Sequence, residues 1–276
     1  MIAIFKLSWY TIVMVNLGND EIVKYPFLAE AGKYLSDKGF SLDQFGTDPD
    51  LKKIVDNAFE RIITSSEGRI FKSDPLSNNS ALPLEIFSFL IAVILLKLSG
   101  MNTLIRRFSL AEARRAEKFL EKDLMNHQDA TKTKLSLQIL QELFSVTVEK
   151  IDEEFTISVS DYLKHSINFH EREWKLINRK VTNGKVHLTP HETVRLVRKE
   201  LDRHIYTKIN SSSTPEMIIG FETYVDKLKQ LAKKFEVKTV ESKEFPPCIK
   251  HAIDVLEKGE NLPHSGRFLL ATFLLN

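Results

Sequence analysis

The side chains best equipped for chemistry in this sequence are one cysteine and a few arginines and histidines. Cys248, the chain's one cysteine, would need a neighbouring base to act as a nucleophile. His251 follows three residues later and His264 further on, but no third orienting residue or oxyanion device accompanies them. A lone cysteine is more often a small buried hydrophobe. His264 and Arg267 stand three apart at the opening of a helical stretch. There a ring N–H, a guanidinium fork and the helix amino terminus can together grip a phosphate. Arg106, Arg107, Arg114 and Arg115 could line a nucleic-acid track, because phosphate contacts take clustered guanidiniums. The plainer reading is a solvated face pairing with Glu112, Glu117 and Glu121. His165, His170 and His187 show no metal-ligand spacing. Asp152, Glu153 and Glu154, read as successive positions on a helix, point in different directions and make no two-metal site. Neither a phosphate-binding glycine loop nor a carboxylate set for nucleotidyl transfer is visible, so no catalytic residue is expected.

The totals leave room for one large domain or two small ones in 276 residues. With 43% hydrophobic and 28% charged residues, wholesale disorder is excluded as the organising state. The net charge of +2 makes any basic footprint local. One cysteine excludes an internal disulfide framework and fits a reducing compartment. Residues 1–13 are apolar but lack a basic region ahead of the hydrophobic stretch, so a leading strand or an over-long translation start before Met14, dispensable for the core, is expected rather than a signal peptide.

The elements that must position these side chains centre on residues 82–124. The stretch 84–98 is apolar on nearly every face yet shorter than the roughly 20 residues a bilayer takes, so it belongs in a globular core. Pro83 suits its first turn and Gly100 its end. A basic amphipathic helix follows, with Ile105, Phe108, Ala116, Phe119 and Leu120 as its apolar face. Upstream, Asp48-Pro49-Asp50 starts a helix whose inner face is Leu51, Ile54, Val55, Ala58, Phe59 and Ile62. Downstream, helices are expected over 135–144 and 159–167. Asn183-Gly184, between the stretches 175–182 and 185–188, predicts a type I′ hairpin. Thr189, Pro190 and Glu192 then form a capping-box pattern that opens a helix. Thr214-Pro215 is expected to open another, with Ile218, Phe221, Val225, Leu228, Ala232 and Phe235 as its stripe. Pro246-Pro247 starts a further helix with Ile249, Ile253 and Leu256 on one face, and Gly259 closes it. After a bend at Asn261-Leu-Pro-His264, the run from Arg267 is strongly apolar. Left uncovered it would be an aggregating patch, which suggests a chain cut inside a domain.

This last segment resembles the start of the iron–sulfur domain of the archaeal and eukaryotic DNA primase large subunit. The pattern is a Pro-Pro-Cys helix, a Gly-x-Asn-Leu-x-His bend and Gly-Arg-Phe opening an apolar helix. Further matches run in order from Tyr25-Pro-Phe27 through Leu104-Ile-Arg-Arg-Phe108, Glu112-Ala113-Arg114, Asp161-Tyr-Leu-Lys164, Trp174-Lys175-Leu176 and the Asn183-Gly184 hairpin. The resemblance implies a noncatalytic subunit that docks the catalytic small subunit and helps hold template DNA and the RNA/DNA primer; no membrane partner is expected. It implies that Cys248 matches the first of four cysteines ligating a four-iron, four-sulfur cluster, with three absent from this chain, so that no cluster is expected here. It further implies that His264, Arg267 and Asn261 contact nucleic acid, and that Lys185, Val186, His187 and Leu188 lie at the subunit interface. The expected layout is mostly α. An extension (1–13) precedes a helical domain (14–172), a small α/β element (173–210), a helix (211–235), a tether (236–244) and the start of an iron–sulfur domain (245–276). The expected compartment is the archaeal cytoplasm, or the nucleus if the source is eukaryotic. Two other readings stay open: a stand-alone helical nucleic-acid-binding or adaptor protein, and an enzyme using Cys248.

Overall fold

The computed structural model describes residues 23–28, 39, 42–71, 82–126, 130–151, 154–235 and 245–275. The expected extension at 1–13 and tether at 236–244 lie outside them. The described residues are mostly helical with one small antiparallel sheet, in agreement with the expected fold class. They fall into two compact units, 1–231 and 232–276.

In the first unit, α1 (Leu42–Thr47) leads into α2 (Pro49–Ser66). Asp48 sits in extended backbone and its carboxylate accepts from the Asp50 N–H at 2.8 Å, with Pro49 in the first turn where a missing N–H costs nothing. α2 packs on α3 (Leu82–Ser99), in which every residue from 85 to 96 is buried. The Gly100 N–H, at φ +66°, reaches the carbonyls of Leu96 and Lys97 and ends that helix. α4 (Asn102–Leu124) turns back at once.

Between these helices lies an ionic cluster that includes Arg115 and Glu112, both expected on a solvated face. Arg61 is fully buried and donates to both Glu112 oxygens and to Glu85 Oε1, each at 2.6 Å. Arg115 Nη2 lies 2.8 Å from the same Glu85 oxygen. Burial opposes the Arg61 charge, but Glu112 and Glu85 outweigh it and its proton is held more firmly than usual. Arg115, weakened by burial and only partly supported by Glu85, is shifted the other way. Thus Arg115 and Glu112 belong to the core.

α5 (Ala130–Phe144) and the long α7 (Pro190–Ser211) complete the helical layer. With α4 they help bury residues 23–28: Lys24 Nζ grips the Asp123 carboxylate of α4 at 2.9 and 3.0 Å, and Lys208 Nζ on α7 donates to the Phe27 carbonyl at 2.8 Å. The Phe27 and Phe144 rings meet His204 edge-on. Burial first, then Lys208, pushes the His204 imidazole down to about 4, so this ring is neutral packing.

The sheet has the order β1-β2-β4-β3, all antiparallel. β3 (Val181–Thr182) and β4 (Lys185–Leu188) flank Asn183 and Gly184, both at positive φ as the hairpin requires. β1 (Val148–Ile151) and β2 (Glu154–Ser158) were not foreseen, and Glu154, read as helical, stands on a strand. Their burial does not alternate, with Val148 alone buried on β1 and Phe155, Thr156 and Ile157 buried in succession on β2, so no two-residue period declares them, and it is pairing with β4 that fixes β2. Of the strand expected over 175–182 only Val181–Thr182 forms; Leu176–Asn178 is a 3₁₀ turn, and another precedes it at Arg172–Trp174. α6 (Val159–Ser166) follows β2, capped by Ser158.

The helix expected from Thr214-Pro215 begins only at α8 (Glu222–Lys233). The backbone at 219–220 crosses Gly46 so closely that a Cβ on Gly46 would overlap the Ile219 carbonyl, and Gly220 sits at φ +90°. Such a crossing needs irregular chain. The predicted stripe survives nonetheless, with Ile218, Phe221, Val225 and Leu228 all buried.

The second unit pairs α9 (Pro247–Glu257) with α10 (His264–Leu275) around Ile249, Ala252, Leu262 and Leu270. Ile253 packs against this cluster, whereas Leu256, expected beside it, is 47% exposed.

Candidate partner and nucleic-acid surfaces

The β4 alternation divides the four hairpin residues expected at an interface. Val186 and Leu188 turn inward, with Phe155 and Ile157 beside them on β2, and are buried. They support the sheet and present no contact surface. Lys185 and His187 face out, and each meets a carboxylate. Lys185 pairs with Glu149 on β1, and His187 Nδ1 lies 2.6 Å from Glu154 Oε2, which also receives Lys180 Nζ at 2.8 Å. Hydrogen bonds from Lys180 and then His187 hold the Glu154 carboxyl below its usual range. The outer face of the sheet is a lattice of paired charges.

Beside it, residues 169–179 are braced by stacked rings and two arginines. Trp174 stacks on Phe169 at 4.2 Å and on Tyr162 at 6.3 Å, and the Tyr162 hydroxyl donates to the Trp174 carbonyl at 2.9 Å. Arg179 forks onto Glu192 at 2.6 and 2.9 Å and donates to the His187 carbonyl at 2.7 Å. Its hydrogen bonds are the main cause that keeps the Glu192 carboxyl below its ordinary range. Arg195 lies over both Phe169 and Trp174 and pairs with Glu171 at 2.6 Å. This frame holds Ile177 91% exposed, while Leu163 and Ile167, four apart at α6, are 49% and 75% exposed. Large apolar side chains kept in water by a built frame mark an interaction surface more than scattered ones do.

In the second unit Asn261, His264 and Arg267 are all exposed around one bend. His264 is the first residue of α10, and Arg267 Nε donates to the Leu262 carbonyl at 2.8 Å, which anchors the guanidinium at the helix amino end. Cys248 is exposed at the second position of α9, contrary to the buried-hydrophobe reading. Phe268, Leu269 and Leu274 on α10 are also exposed.

Two family models match in order along the chain. The N-terminal domain of the eukaryotic and archaeal DNA primase large subunit covers residues 99–217, and the C-terminal domain of the same subunit covers 238–276. The DNA primase large subunit PriL of Methanocella arvoryzae is 30% identical over 260 residues, 92% of this chain and 68% of that protein. That of Methanosarcina acetivorans is 31% identical, covering 93% and 69%. That of Methanococcoides burtonii is 31% identical, covering 94% and 73%. The chain belongs to the DNA primase large-subunit family.

In this primase large-subunit chain the four arginines considered as a track go separate ways. Arg115 is in the core, Arg107 donates to the Ser66 carbonyl at 2.7 Å, Arg114 approaches the Gly68 carbonyl at 3.4 Å, and Arg106 lies over the Tyr206 ring. Nor do the acids pair as expected. Glu117 meets Arg198 at 3.5 Å and Glu121 meets His191 at 3.0 Å. His165, 3.3 Å from Glu200 in a geometry that makes no hydrogen bond, is a buried packing residue.

The four-iron, four-sulfur cluster implied by the resemblance takes four thiolates. The chain has one cysteine, and among the described residues no three His, Cys, Asp or Glu side chains converge as a ligand set. The residues present do not by themselves fit that group. Among the described residues no helix is long and apolar enough to cross a membrane. The aromatic brace and Ile177 escaped sequence reading. The signal was present as Phe169, Trp174, Arg179 and Arg195 around an isoleucine in polar surroundings, but no regular period links them.

Proposed function

We propose that this chain is a noncatalytic primase subunit that docks the catalytic small subunit through the outer sheet face and its braced loop. The observation that carries this reading is Ile177, 91% exposed between Trp174 and Arg179 of a frame that is tied to β4 through the His187 carbonyl. An apolar anchor with a charged rim is the usual anatomy of a protein interface. The second unit is assigned to template and primer, with His264, Arg267 and Asn261 as phosphate contacts at the α10 amino end. Linking such a unit to the docking unit raises its effective concentration at the primer. Cys248 is assigned as one cluster ligand, whose three companions would have to come from outside these residues.

The test measures affinity for the catalytic subunit by titration calorimetry in Ile177→Asp and in the double variant Lys185→Glu with His187→Asp. Circular dichroism must match the parent. Affinity should fall at least tenfold in the first, because a charge replaces the anchor. Undiminished affinity in both would remove the interface assignment. Loss of DNA affinity in His264→Ala with Arg267→Ala tests the second assignment separately.

A further inference from the structure

The two edges of the sheet are finished differently. Side chains directly opposite one another in an antiparallel ladder share a face. One such row is Lys150, Phe155 and Leu188, and another is Val148, Ile157, Val186 and Val181. Phe155, Leu188, Ile157 and Val186 are buried, so both rows lie on the inner face. At the β1 edge α5 packs against the strand, and the exposed Lys150 stands on that inner face. A charge pointing inward from an edge strand discourages a further strand, which would have to bury it. The β3 edge has no such guard. Lys180 is neutralised by Glu154 at 2.8 Å, and no proline interrupts 177–182. Its inner row ends on Val181, 44% exposed where its row partners are buried.

The β3 backbone is open on the same side. Asn183 and Gly184 make a two-residue turn, so Thr182 and Lys185 close the hairpin as a hydrogen-bonded pair. The His187 N–H donates to the Lys180 carbonyl at 3.0 Å. Val181, between them, takes the non-bonded position and directs its N–H and carbonyl away from β4. Arg179, two residues earlier in extended backbone, directs its carbonyl the same way, its own N–H being spent on the Leu176 carbonyl. Among the described residues none of these three outward groups meets another backbone group. An extended segment laid along this edge would take up all three, and would set one side chain beside Val181 to continue the inner row. That side chain meets a valine, so it is apolar. Ile177, two residues before Arg179, stands at the same margin.

We propose that β3 is a docking edge at which an extended segment of the catalytic subunit joins the sheet along residues 179–181, with an apolar residue against Val181. The inference rests on the docking proposed above for this subunit, and adds recognition by backbone pairing to recognition by side chains.

The test uses the whole 276-residue chain with the catalytic subunit. Val181→Pro removes an outward N–H and no internal hydrogen bond, a placement that edge strands tolerate, so circular dichroism and the urea midpoint should match the parent. Its affinity by titration calorimetry should fall at least about fivefold, the equivalent of one lost interface hydrogen bond. Lys150→Pro, at the matching position on the guarded edge, should stay within about twofold of the parent. Hydrogen exchange read at single amides needs no variant. In the parent complex the Val181 amide should slow at least about tenfold against the free chain. Pairing requires both results, and should Val181→Pro alter the circular dichroism, the exchange measurement alone decides. The proposal is overturned if Val181→Pro binds as the parent does, or if the Val181 amide exchanges as fast in the complex as alone. In either case a loss of affinity in Ile177→Asp leaves the docking reading standing. If Ile177→Asp and the outer-face double variant also bind normally, both readings fall. A dimer of the free chain in analytical ultracentrifugation that Val181→Pro abolishes would assign the edge to a second copy, and would overturn the proposal as well.

Discussion

Replacing Arg61 with methionine should be among the most damaging single changes in the first unit. Its guanidinium is fully buried between Glu112 and Glu85, with three hydrogen bonds of 2.6 Å to their carboxylate oxygens and a longer one of 3.5 Å to the Glu85 carbonyl. With Arg115 the group is two cations against two carboxylates and is neutral. Methionine fills similar volume but leaves one core carboxylate without a counter-charge, a change that costs about 3–5 kcal/mol. Against a typical total of about 5–15 kcal/mol, that is a large share. Urea unfolding followed by circular dichroism at 222 nm reads the loss as a shifted midpoint. Adding Glu112→Leu restores neutrality and keeps the Arg115–Glu85 pair, so the double variant should recover at least about half of the loss. An orphaned carboxylate has a folded pKa above its unfolded value of about 4.3. The folded chain then binds the extra proton, so the Arg61→Met defect should shrink as pH falls from 7 towards 5. A single variant within about 1 kcal/mol of the parent, or a double variant as damaged as the two singles summed, would refute the reasoning.

Gly46→Ala should destabilise by about 1–3 kcal/mol, because its new Cβ meets the Ile219 backbone rather than a movable side chain; the thermal midpoint checks it. Asp202 is pushed up to about 6 by burial, which Arg106 and Arg114 only partly offset, so its charged form is disfavoured in the fold. Stability from this group is therefore lost as pH rises between its unfolded value and about 6, and Asp202→Asn should raise the melting temperature at pH 7 but not at pH 4. Purified alone, this chain should contain no iron by metal analysis and show no iron–sulfur absorbance band, since it offers one thiolate. A band in protein not sharing ligands between chains would count against the ligand bookkeeping.

What the sequence made legible follows from local rules. The Asp48 and Thr189 caps, the Gly100 stop and the Asn183-Gly184 turn each act within a few residues, and all are found where the residue types place them. The all-round burial of α3 likewise follows from composition alone. What stayed hidden depends on partners distant in sequence. Arg61 and Glu112 are 51 residues apart, and without that pairing Glu112 reads as solvated. β2 is made a strand by β4, about thirty positions on, and 214–220 is kept from helix by Gly46. At the candidate surfaces, motif resemblance singled out Cys248, Asn261, His264 and Arg267 as candidates, and all four are exposed. The Ile177 frame required knowing that Trp174 stacks with both Tyr162 and Phe169.

The burial of residues 23–28 has a consequence for how the chain is made. Tyr25, Phe27 and Leu28 leave the ribosome well before the Lys208 ammonium that closes over the Phe27 carbonyl, which comes 181 residues after Phe27. At about 5–20 residues per second, that gap is about 9–36 s of synthesis. Throughout it the Tyr-Pro-Phe-Leu strip has no finished cage, so during translation this short segment is a natural ligand for a holdase chaperone.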